Sequence, residues 1–403
     1  MRSSKSCEHG NIDGHISKKE VALDHNGRFW EQDQSYSPDK WITRNPDLLY
    51  LTGPHPLNAE PPAEKLMESG FFTSNDLHYV RNHGTVPKLD WDTHTVTVEG
   101  LIPEGKKIYT MYDLVNNMPS QEVSVTITCD GNRRKEVNAI KRSNGFNWGP
   151  CATGTAKWTG VPLWELLADV GITFSYLQKL ASEEDKSKIP RFVCFEGADT
   201  LANGEYGTSV PIEWAVDPQR DYMLAYLMNN DQIPADHGFP VRMVLPGLVG
   251  GRMVKWLSRI IISDKESTNW YHWHDNKMLP SSITQVNAAK YWMLRDHTLY
   301  EMNINSVITS PGHGDIIDVS NPVAMQTVAG FAYSGGGRKI IRVELTLDHG
   351  KSWKEAKFEY PENVARHGTK HWTWCHWKIE FEVWRFIQSE EIAVCFLDVA
   401  SKI

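Results

Sequence analysis

The chain has 403 residues, a length that suits two or three domains better than one. Hydrophobic residues make up 40% and charged residues 23%, as in an ordinary globular protein. The net charge of -8 argues against a nucleic-acid surface, so any basic cluster must be local. No apolar run approaches the roughly 18 residues of a membrane-spanning helix. The six cysteines lack CxxC or zinc-finger spacing, which fits a reducing compartment.

The N-terminal residues 1–34 are polar and have no clear hydrophobic period. This pattern predicts a flexible tail. The first 20 residues also lack the apolar stretch of a secretory signal and contain acidic residues, which argues against a transit signal. We therefore expect a cytoplasmic protein whose structured part begins near Trp41.

The most informative stretch surrounds Cys129. Residues 122–128 alternate between polar and apolar side chains, which predicts a half-buried strand that ends at this cysteine. Residues 130–132 (Asp-Gly-Asn) break the strand, and residues 133–135 (Arg-Arg-Lys) add three cations. Nearby cations favour the thiolate, the form that ligates metals or attacks substrates. An isolated cysteine is otherwise most often a small buried hydrophobe, so both readings stay open here.

Two further segments place polar side chains where apolar runs end. A short apolar run at residues 77–80 precedes Arg81, Asn82 and His83, and the planar fork of an arginine suits an oxyanion. Trp148 lies in a Gly-Phe-Asn-Trp-Gly turn. The plain alternatives are a solvated turn for the triplet and a cover over the core edge for the tryptophan.

A glycine-rich basic block spans residues 234–262 and contains two apolar runs, VRMVL and VKWLSRIII. Glycines let a backbone approach a ligand, and exposed amides with cations can cradle an anion. The block contains neither a Walker loop nor a GxGxxG fingerprint. The alternative is an ordinary glycine-rich turn between strands. Its cationic and imidazole side chains are His237, Arg242, Arg252 and Lys255.

From residue 317 onward the pattern is that of an all-β domain. Alternating runs are joined by glycines at 335–337 and by a turn at 348–350, which predicts a β-sandwich. Trp372, Trp374 and Trp377 are clustered, and the first two would share one face of a strand. We therefore expect this cluster in the sandwich core.

These motifs resemble one family. CDGNRRKE at 129–136 is similar to the C-A-G-N-R-R motif of the sulfite oxidase family of molybdenum enzymes, with Asp130 where alanine is usual. The R-N-H triplet at 81–83 and the block at 234–262 resemble the same family. GFNWG at 145–149, NWYHWHDN at 269–276 and NINSVITSP at 303–311 favour its eukaryotic, fungal-like assimilatory nitrate reductases.

The resemblance implies an α+β fold of two domains. A sulfite-oxidase-type molybdopterin-binding catalytic domain would occupy residues 35–290, and an Ig-like β-sandwich dimerisation domain residues 291–403. The chain ends in EEIAVCFLDVASKI where relatives continue through further strands, so this second domain is expected to be truncated and to form a weaker homodimer.

The resemblance also implies reduction of nitrate to nitrite by oxygen-atom transfer at a molybdenum-molybdopterin centre ligated by Cys129. The implied catalytic residues are Cys129, Arg81, Arg134, Trp148 and Asn269. The implied cofactor-binding residues are Tyr79, Arg81, Asn82, His83, Asp199, His237, Arg242, Arg252, Met253, Val254 and Lys255. Electrons would come from a haem-containing domain, and haem and FAD are expected only in domains that this sequence lacks.

Two alternatives remain open at this point. The same fold could oxidise sulfite to sulfate, since the site motifs alone do not separate the two substrates. The chain could also be a non-catalytic module that holds pterin or assembles with a partner. Asp130 and the shortened tail keep that second alternative in view.

Overall fold

The computed structural model describes residues 22–23, 29–30, 36–182, 189–312, 314–361 and 364–401. Most of the predicted flexible tail, residues 1–34, therefore lies outside the described residues. The two short strands described within that stretch pair with each other in antiparallel fashion. No helix in the described part of the chain is long and apolar enough to cross a membrane.

The first domain has a small sheet, β3-β4-β5, and two larger ones. One has the order β11-β10-β15-β6-β7, and the other β13-β12-β9-β8, with β14 also paired to β12. Strands β15 and β6 are parallel and the other pairs are antiparallel. The strands are β1 (Ala22–Leu23), β2 (Phe29–Trp30), β3 (Leu49–Tyr50), β4 (Asn58–Glu60), β5 (Val80–Arg81), β6 (Thr95–Gly100), β7 (Lys107–Thr110), β8 (Gln121–Thr128), β9 (Thr153–Pro162), β10 (Phe192–Gly197), β11 (Gly207–Pro211), β12 (Met223–Met228), β13 (Asp231–Gln232), β14 (Arg242–Val244) and β15 (Leu257–Ser263).

Short helices cover these sheets and connect their strands. The α-helices are α1 (Ala63–Glu68), α2 (Met111–Asn116), α3 (Arg134–Ile140), α4 (Leu163–Asp169), α5 (Phe174–Ala181), α6 (Ile212–Ala215), α7 (Trp270–His274), α8 (Gln285–Trp292) and, in the second domain, α9 (Val383–Ile387). Helix α4 has Pro162 at its N-cap, and its apolar stripe of Leu163, Leu166 and Leu167 is buried.

The second domain is a β-sandwich, as the alternating pattern predicted. Its sheets have the orders β16-β17-β23-β20 and β19-β18-β24. Val328, Trp377 and Phe381 on one sheet pack with Val343 and Leu345 on the other to form its core. The strands are β16 (Asn305–Ser310), β17 (Met325–Tyr333), β18 (Ile340–Thr346), β19 (Lys354–Glu355), β20 (Lys357–Glu359), β21 (Ala365–Arg366), β22 (Lys370–His371), β23 (Cys375–Glu382) and β24 (Ala393–Asp398).

The tryptophan cluster does not lie together in the sandwich core, which corrects the sequence-based expectation. Trp372 belongs to the core of the first domain, and its indole donates to Asp221 at 2.8 Å. Trp374 packs in a separate cluster between the domains, and its backbone N–H donates to the hydroxyl of Thr126 at 2.7 Å. Only Trp377, on β23, lies in the sandwich core. The second domain is therefore anchored against β8, the strand that leads to Cys129.

Candidate functional site

One cavity of about 520 Å³ collects most of the predicted site residues. It lies beyond the end of β8, between the segment after β5, the turn that leads into β9 and the glycine-rich block. A polar, concave space of this size is typical of a cofactor or substrate site. The predicted residues on its wall are Tyr79, Arg81, His83, Cys129, Arg134, Trp148, Asp199, His237, Arg242, Met253 and Lys255.

Cys129 follows β8 directly and lies in a tight turn. Its backbone N–H donates to the carbonyl oxygen of Ala152 at 2.9 Å, and the Gly131 N–H donates to its sulfur at 3.4 Å. Burial, reinforced by the carboxylate of Asp130, raises the pKa of the thiol to about 12. Arg81 and Arg134 oppose that shift without overcoming it. Desolvation is therefore the larger effect on this thiol, and the neighbouring cations do not offset it. A bound metal would deprotonate the thiol.

The three cations after Cys129 point in different directions. Arg133 has a left-handed backbone with φ of 63°, and its side chain turns toward the second domain. Arg134 lines the cavity, and Lys135 is exposed. The left-handed conformation of Arg133 thus directs its side chain away from the cavity, whereas the Arg134 side chain lines it.

An arginine-rich wall lies beside Cys129. The guanidinium of Arg81 lies 5.5 Å from the ring centroid of Phe146, and it donates to Asn58 Oδ1 at 3.1 Å. Arg134 Nη1 donates to the Phe146 carbonyl oxygen at 3.2 Å. The Phe146 ring in turn contacts Trp148, with centroids 5.2 Å apart. Two forked donors and an indole therefore line the cavity beside one thiol, an arrangement suited to a small oxyanion.

A second group of cations comes from the glycine-rich block. Arg242 is buried and donates to the carbonyl oxygens of His237 at 2.8 Å and Met253 at 3.2 Å, but it forms no ion pair among the described residues. Burial lowers its pKa to about 10. Burial also lowers the pKa of Lys255 to about 7, although Asp236 acts against that shift. Such buried cations are costly without an anion, so this region fits a phosphate.

Buried polar atoms around the cavity also lack partners. His78 Nε2, Trp148 Nε1 and Trp158 Nε1 have no hydrogen-bond partner within the described residues, and His78 and Trp148 lie on the cavity wall. Burial lowers the pKa of His78, so its imidazole is neutral. Orphaned polar groups of this kind call for a ligand. Together with the cations and the thiol, they fit a molybdenum-bearing pterin with a phosphate.

Gly250 and Gly251 supply the close approach that the sequence predicted for this block. Both line the cavity, and a Cβ on Gly250 would lie 2.6 Å from the Tyr79 hydroxyl. A Cβ on Gly251 would lie closer still to the side-chain amide of Asn276, so a side chain at either position would collide with a residue of the cavity wall.

Four predicted residues do not lie on the cavity wall. Asn82 is buried behind it, where its side chain donates to Asp236 Oδ1 at 2.8 Å and accepts a hydrogen bond from Lys255. Val254 is fully buried in the core. Arg252 is also fully buried, with Nη1 bonded to the Thr208 hydroxyl at 2.6 Å. These side chains support the wall and do not themselves reach the cavity.

Asn269 is the fourth predicted residue that does not lie on the cavity wall. Its side chain caps helix α7 by accepting the Tyr271 N–H at 2.9 Å, and it donates to the Glu205 carbonyl oxygen at 2.8 Å. The amide oxygen and the amide nitrogen of Asn269 therefore both bond to nearby backbone atoms and not to groups in the cavity. Asn276, at the other end of the same motif, lines the cavity instead.

Asn276 is a site residue that the sequence reasoning missed. Its backbone has φ of 54°, a conformation that asparagine tolerates better than most residues. In the orientation that satisfies its neighbours, its amide nitrogen donates to Asp130 Oδ2 at 2.7 Å, and its amide oxygen lies 3.0 Å from the Tyr206 hydroxyl. Asp130, Tyr206 and Asn276 thus form one polar group beside Cys129, whose sulfur lies 3.7 Å from Asp130 Oδ1. The Asp-Asn pair at 275–276 was the available signal, but its spacing alone did not show which asparagine faces the cavity.

Comparison with known families agrees with this geometry. Residues 83–271 match the family described as "Oxidoreductase molybdopterin binding domain". Residues 296–403 match the family described as "Mo-co oxidoreductase dimerisation domain". The two matches follow each other in the order that the sequence motifs implied.

Comparison with curated proteins finds plant nitrate reductases. The chain is 47% identical over 363 residues to nitrate reductase [NADH] 1 of Oryza sativa subsp. japonica and to nitrate reductase [NADH] of Solanum lycopersicum. These alignments cover 88% of this chain but only 38% of either relative. Among solved structures, the sulfane dehydrogenase SoxCD of Paracoccus pantotrophus shares the fold, with a TM-score of 0.64 and 24% identity over 83% of this chain and 76% of that one. With both domains matched in sequence, the chain belongs to the molybdenum-cofactor oxidoreductases that combine a molybdopterin-binding domain with a Mo-co dimerisation domain.

Proposed function

We propose that this chain reduces nitrate to nitrite at a molybdenum-pterin centre held by Cys129. The observation that carries the proposal is the convergence of a buried thiol, two arginine forks and an indole on one cavity. Nitrate is a planar anion that such forks can bind through paired charge-assisted hydrogen bonds. The similarity to plant nitrate reductases supports nitrate as the substrate.

Different residues of the chain would bind the metal, the pterin and the nitrate. Cys129 would ligate the metal, and Arg242, Lys255 and His237 would hold the pterin and its phosphate. Arg81, Arg134 and Trp148 would bind nitrate and orient one of its oxygen atoms toward the metal. When bound, the cofactor supplies the oxygen-atom acceptor and the two-electron chemistry. Asn269 and Arg252, proposed from the resemblance, would act by supporting the wall from behind.

The supporting residues form a continuous network. Lys255 Nζ donates to the carbonyl oxygens of Arg81 at 2.9 Å and Asp236 at 2.8 Å. Asp236 also pairs with Arg44 through two hydrogen bonds of 2.8 and 2.9 Å. His83 lies 3.2 Å from Asp275 Oδ2. These contacts hold the arginine-rich wall and the phosphate region in fixed positions before a ligand arrives, which reduces the ordering that binding requires.

We also propose the wider setting. The catalytic chemistry belongs to residues 35–290 and subunit pairing to residues 291–403, which would form a homodimer. Electrons would arrive from a haem-containing domain, with haem and FAD carried outside this chain. The chain spans 38% of the length of the plant relatives named above, which leaves room for such domains in them. A cytoplasmic location fits the unpaired state of Cys129, Cys151, Cys194, Cys375 and Cys395.

The test uses one preparation for both substrates. The chain is purified from a host that makes the molybdenum cofactor, and bound molybdenum is measured. Nitrate reduction is then assayed with reduced viologen, and sulfite oxidation with ferricyanide. We expect stoichiometric molybdenum and a higher kcat/KM for nitrate.

Each of the other outcomes would contradict nitrate reduction in a different way. Sulfite turnover with the higher kcat/KM would make the chain a sulfite oxidase. Bound molybdenum without turnover of either anion would make it a non-catalytic pterin-binding module. Absence of molybdenum after purification from a competent host would remove the cofactor assignment altogether.

A further inference from the structure

The turn that carries Cys129 is held from both sides. On the side of the first domain, the Arg133 N–H donates to the Gly149 carbonyl oxygen at 2.8 Å, and Asn132 Oδ1 accepts the Ala152 N–H at 3.1 Å. On the other side, its contacts go to the second domain. The C-terminal domain, which the family description connects with dimerisation, therefore lies directly behind the proposed metal ligand.

Two side chains of the second domain bond to this turn or to each other behind it. Asn305 on β16 and Tyr333 on β17 are register partners in one antiparallel ladder. The Tyr333 hydroxyl accepts the side-chain N–H groups of Asn132 at 3.1 Å and of Asn305 at 3.0 Å. Asn305 Oδ1 accepts Arg133 Nη1 at 2.7 Å. Both residues are buried, with 8% and 2% of their surfaces exposed, so these bonds are shielded from water.

These contacts hold Arg133 in an unusual backbone conformation. A left-handed backbone is strained for a non-glycine residue and persists only where surrounding contacts determine it. Arg133 Nη1 also donates to the Ser306 carbonyl oxygen at 3.1 Å, so the second domain binds this side chain twice. The left-handed step is what turns Arg133 outward and lets Arg134 enter the cavity.

A small second cavity marks the same junction. It has a volume of about 70 Å³, and both Cys129 and Asp130 border it together with Asn305 and Tyr333. The back of the turn is thus not filled by apolar packing. Its position depends on these polar contacts.

We infer that Asn305 and Tyr333 are positioning residues of the metal site, through which the C-terminal domain sets the geometry of the Cys129 turn. The inference rests on the proposed function only where it names Cys129 as the metal ligand. It gives the C-terminal domain a part in the chemistry besides pairing. Loss of either contact should loosen the turn while the sandwich stays folded.

The first test uses the full chain without cofactor. Tyr333→Phe removes one hydroxyl at nearly constant volume, and Asn305→Ala removes the acceptor of the Arg133 side chain together with the donor to the Tyr333 hydroxyl. Thr309→Ala is the matched control, because Thr309 is a buried polar residue on β16 whose hydroxyl donates to the Ala329 carbonyl oxygen at 3.2 Å within the sandwich. The rate of alkylation at each cysteine is followed by mass spectrometry. Cys375, fully buried in the sandwich, reports global opening in the same sample.

We expect alkylation of Cys129 to become about tenfold faster in Tyr333→Phe and Asn305→Ala, the change that follows from losing one buried hydrogen bond. Cys375 should stay unchanged in both variants, and Cys129 should stay unchanged in Thr309→Ala. A parallel rise at Cys129 and Cys375 would mean general destabilisation and would overturn the inference. Unchanged Cys129 alkylation in both variants would overturn it as well.

The second test uses the molybdenum-loaded chain. We expect Tyr333→Phe to lower kcat for nitrate about tenfold at unchanged molybdenum content, with a smaller change in KM, because the arginine-rich wall is untouched. A full kcat would overturn the inference. If the unmodified chain reduces no nitrate, the proposed substrate fails, while alkylation of the cofactor-free chain still decides whether the second domain holds the turn.

Discussion

Arg134 offers the sharpest test of nitrate binding. Its guanidinium uses one N–H group on the Phe146 carbonyl oxygen at 3.2 Å, and other donors remain for a ligand in the cavity. A Cβ on Gly131 would lie 2.7 Å from one of its terminal nitrogens, and a Cβ on Gly145 would lie 2.8 Å from the other. The two glycines thus leave room for the guanidinium. We therefore treat Arg134→Gln as the removal of a positioned donor from a prepared site.

The expected magnitude follows from the contacts that are lost. A hydrogen bond to a charged group contributes about 1.5–3 kcal/mol. Arg134 is only partly buried, so solvent screening keeps the value near 2 kcal/mol for the pair of bonds. Since each 1.36 kcal/mol changes a rate tenfold, kcat/KM for nitrate should fall roughly 30-fold. The molybdenum content should not change, because Arg134 lies on the substrate wall, away from the phosphate region.

The assay measures kcat/KM with reduced viologen in three proteins of equal molybdenum content. Arg142→Gln is the matched control, since Arg142 is exposed and its loss removes the same charge a short distance along the chain. We expect Arg142→Gln to change kcat/KM less than threefold, consistent with a screened surface charge. Normal kcat/KM in Arg134→Gln, or an equal loss in both variants, would refute direct nitrate contact.

Three further variants test other parts of the site. Burial raises the pKa of Glu60 to about 7 although the Gly149 and Cys151 amides oppose it. Its contribution to stability is therefore complete below about pH 4.5 and lost by about pH 7, so urea unfolding should show the destabilisation of Glu60→Gln shrinking by roughly 3 kcal/mol across that window. A constant difference would contradict this. Lys255→Met should weaken cofactor retention at least about tenfold, measured as molybdenum after dialysis, because Lys255 bridges three acceptors. Trp148→Phe should lower kcat/KM for nitrate, since it removes the Nε1 donor that has no partner in the described protein, and it should lower the melting temperature, since the indole is fully buried in the core.

The alternating pattern made much of the fold predictable. Strand β8 was expected from the period of residues 122–128, and the structure ends it at Thr128, just before Cys129. The sandwich followed from the same period further along the chain. Strands whose faces differ in polarity can be read in this way because one face must be buried.

The direction of individual side chains could not be predicted. The run Arg133-Arg134-Lys135 looks like one basic cluster, but a left-handed residue sends its members to the second domain, the cavity and the solvent. Asn269 and Asn276 are likewise equivalent in sequence, yet one caps a helix and the other faces the ligand space. Both outcomes depend on local backbone dihedrals, which a hydrophobic period does not encode.

The sequence left the protonation of Cys129 open and misplaced two of the tryptophans for a related reason. Neighbouring charges are visible in the sequence, whereas the extent of burial is not, and burial decides the pKa of this thiol. Trp372 and Trp374 were assigned to the sandwich from their spacing, although they pack against and beside the first domain. Contacts between domains leave no periodic signal within either one.

The proposed function depends most directly on ligation of molybdenum by Cys129. X-ray absorption of the loaded chain measures the number of sulfur neighbours around the metal, and Cys129→Ser is compared with Cys151→Ser, which changes a second buried cysteine. We expect Cys151→Ser to keep the sulfur count of the unmodified chain. We expect Cys129→Ser either to lose one sulfur neighbour or to retain no molybdenum, because a hydroxyl is a poor substitute for a thiolate. An unchanged sulfur count in loaded Cys129→Ser would show that Cys129 is not a ligand of the metal.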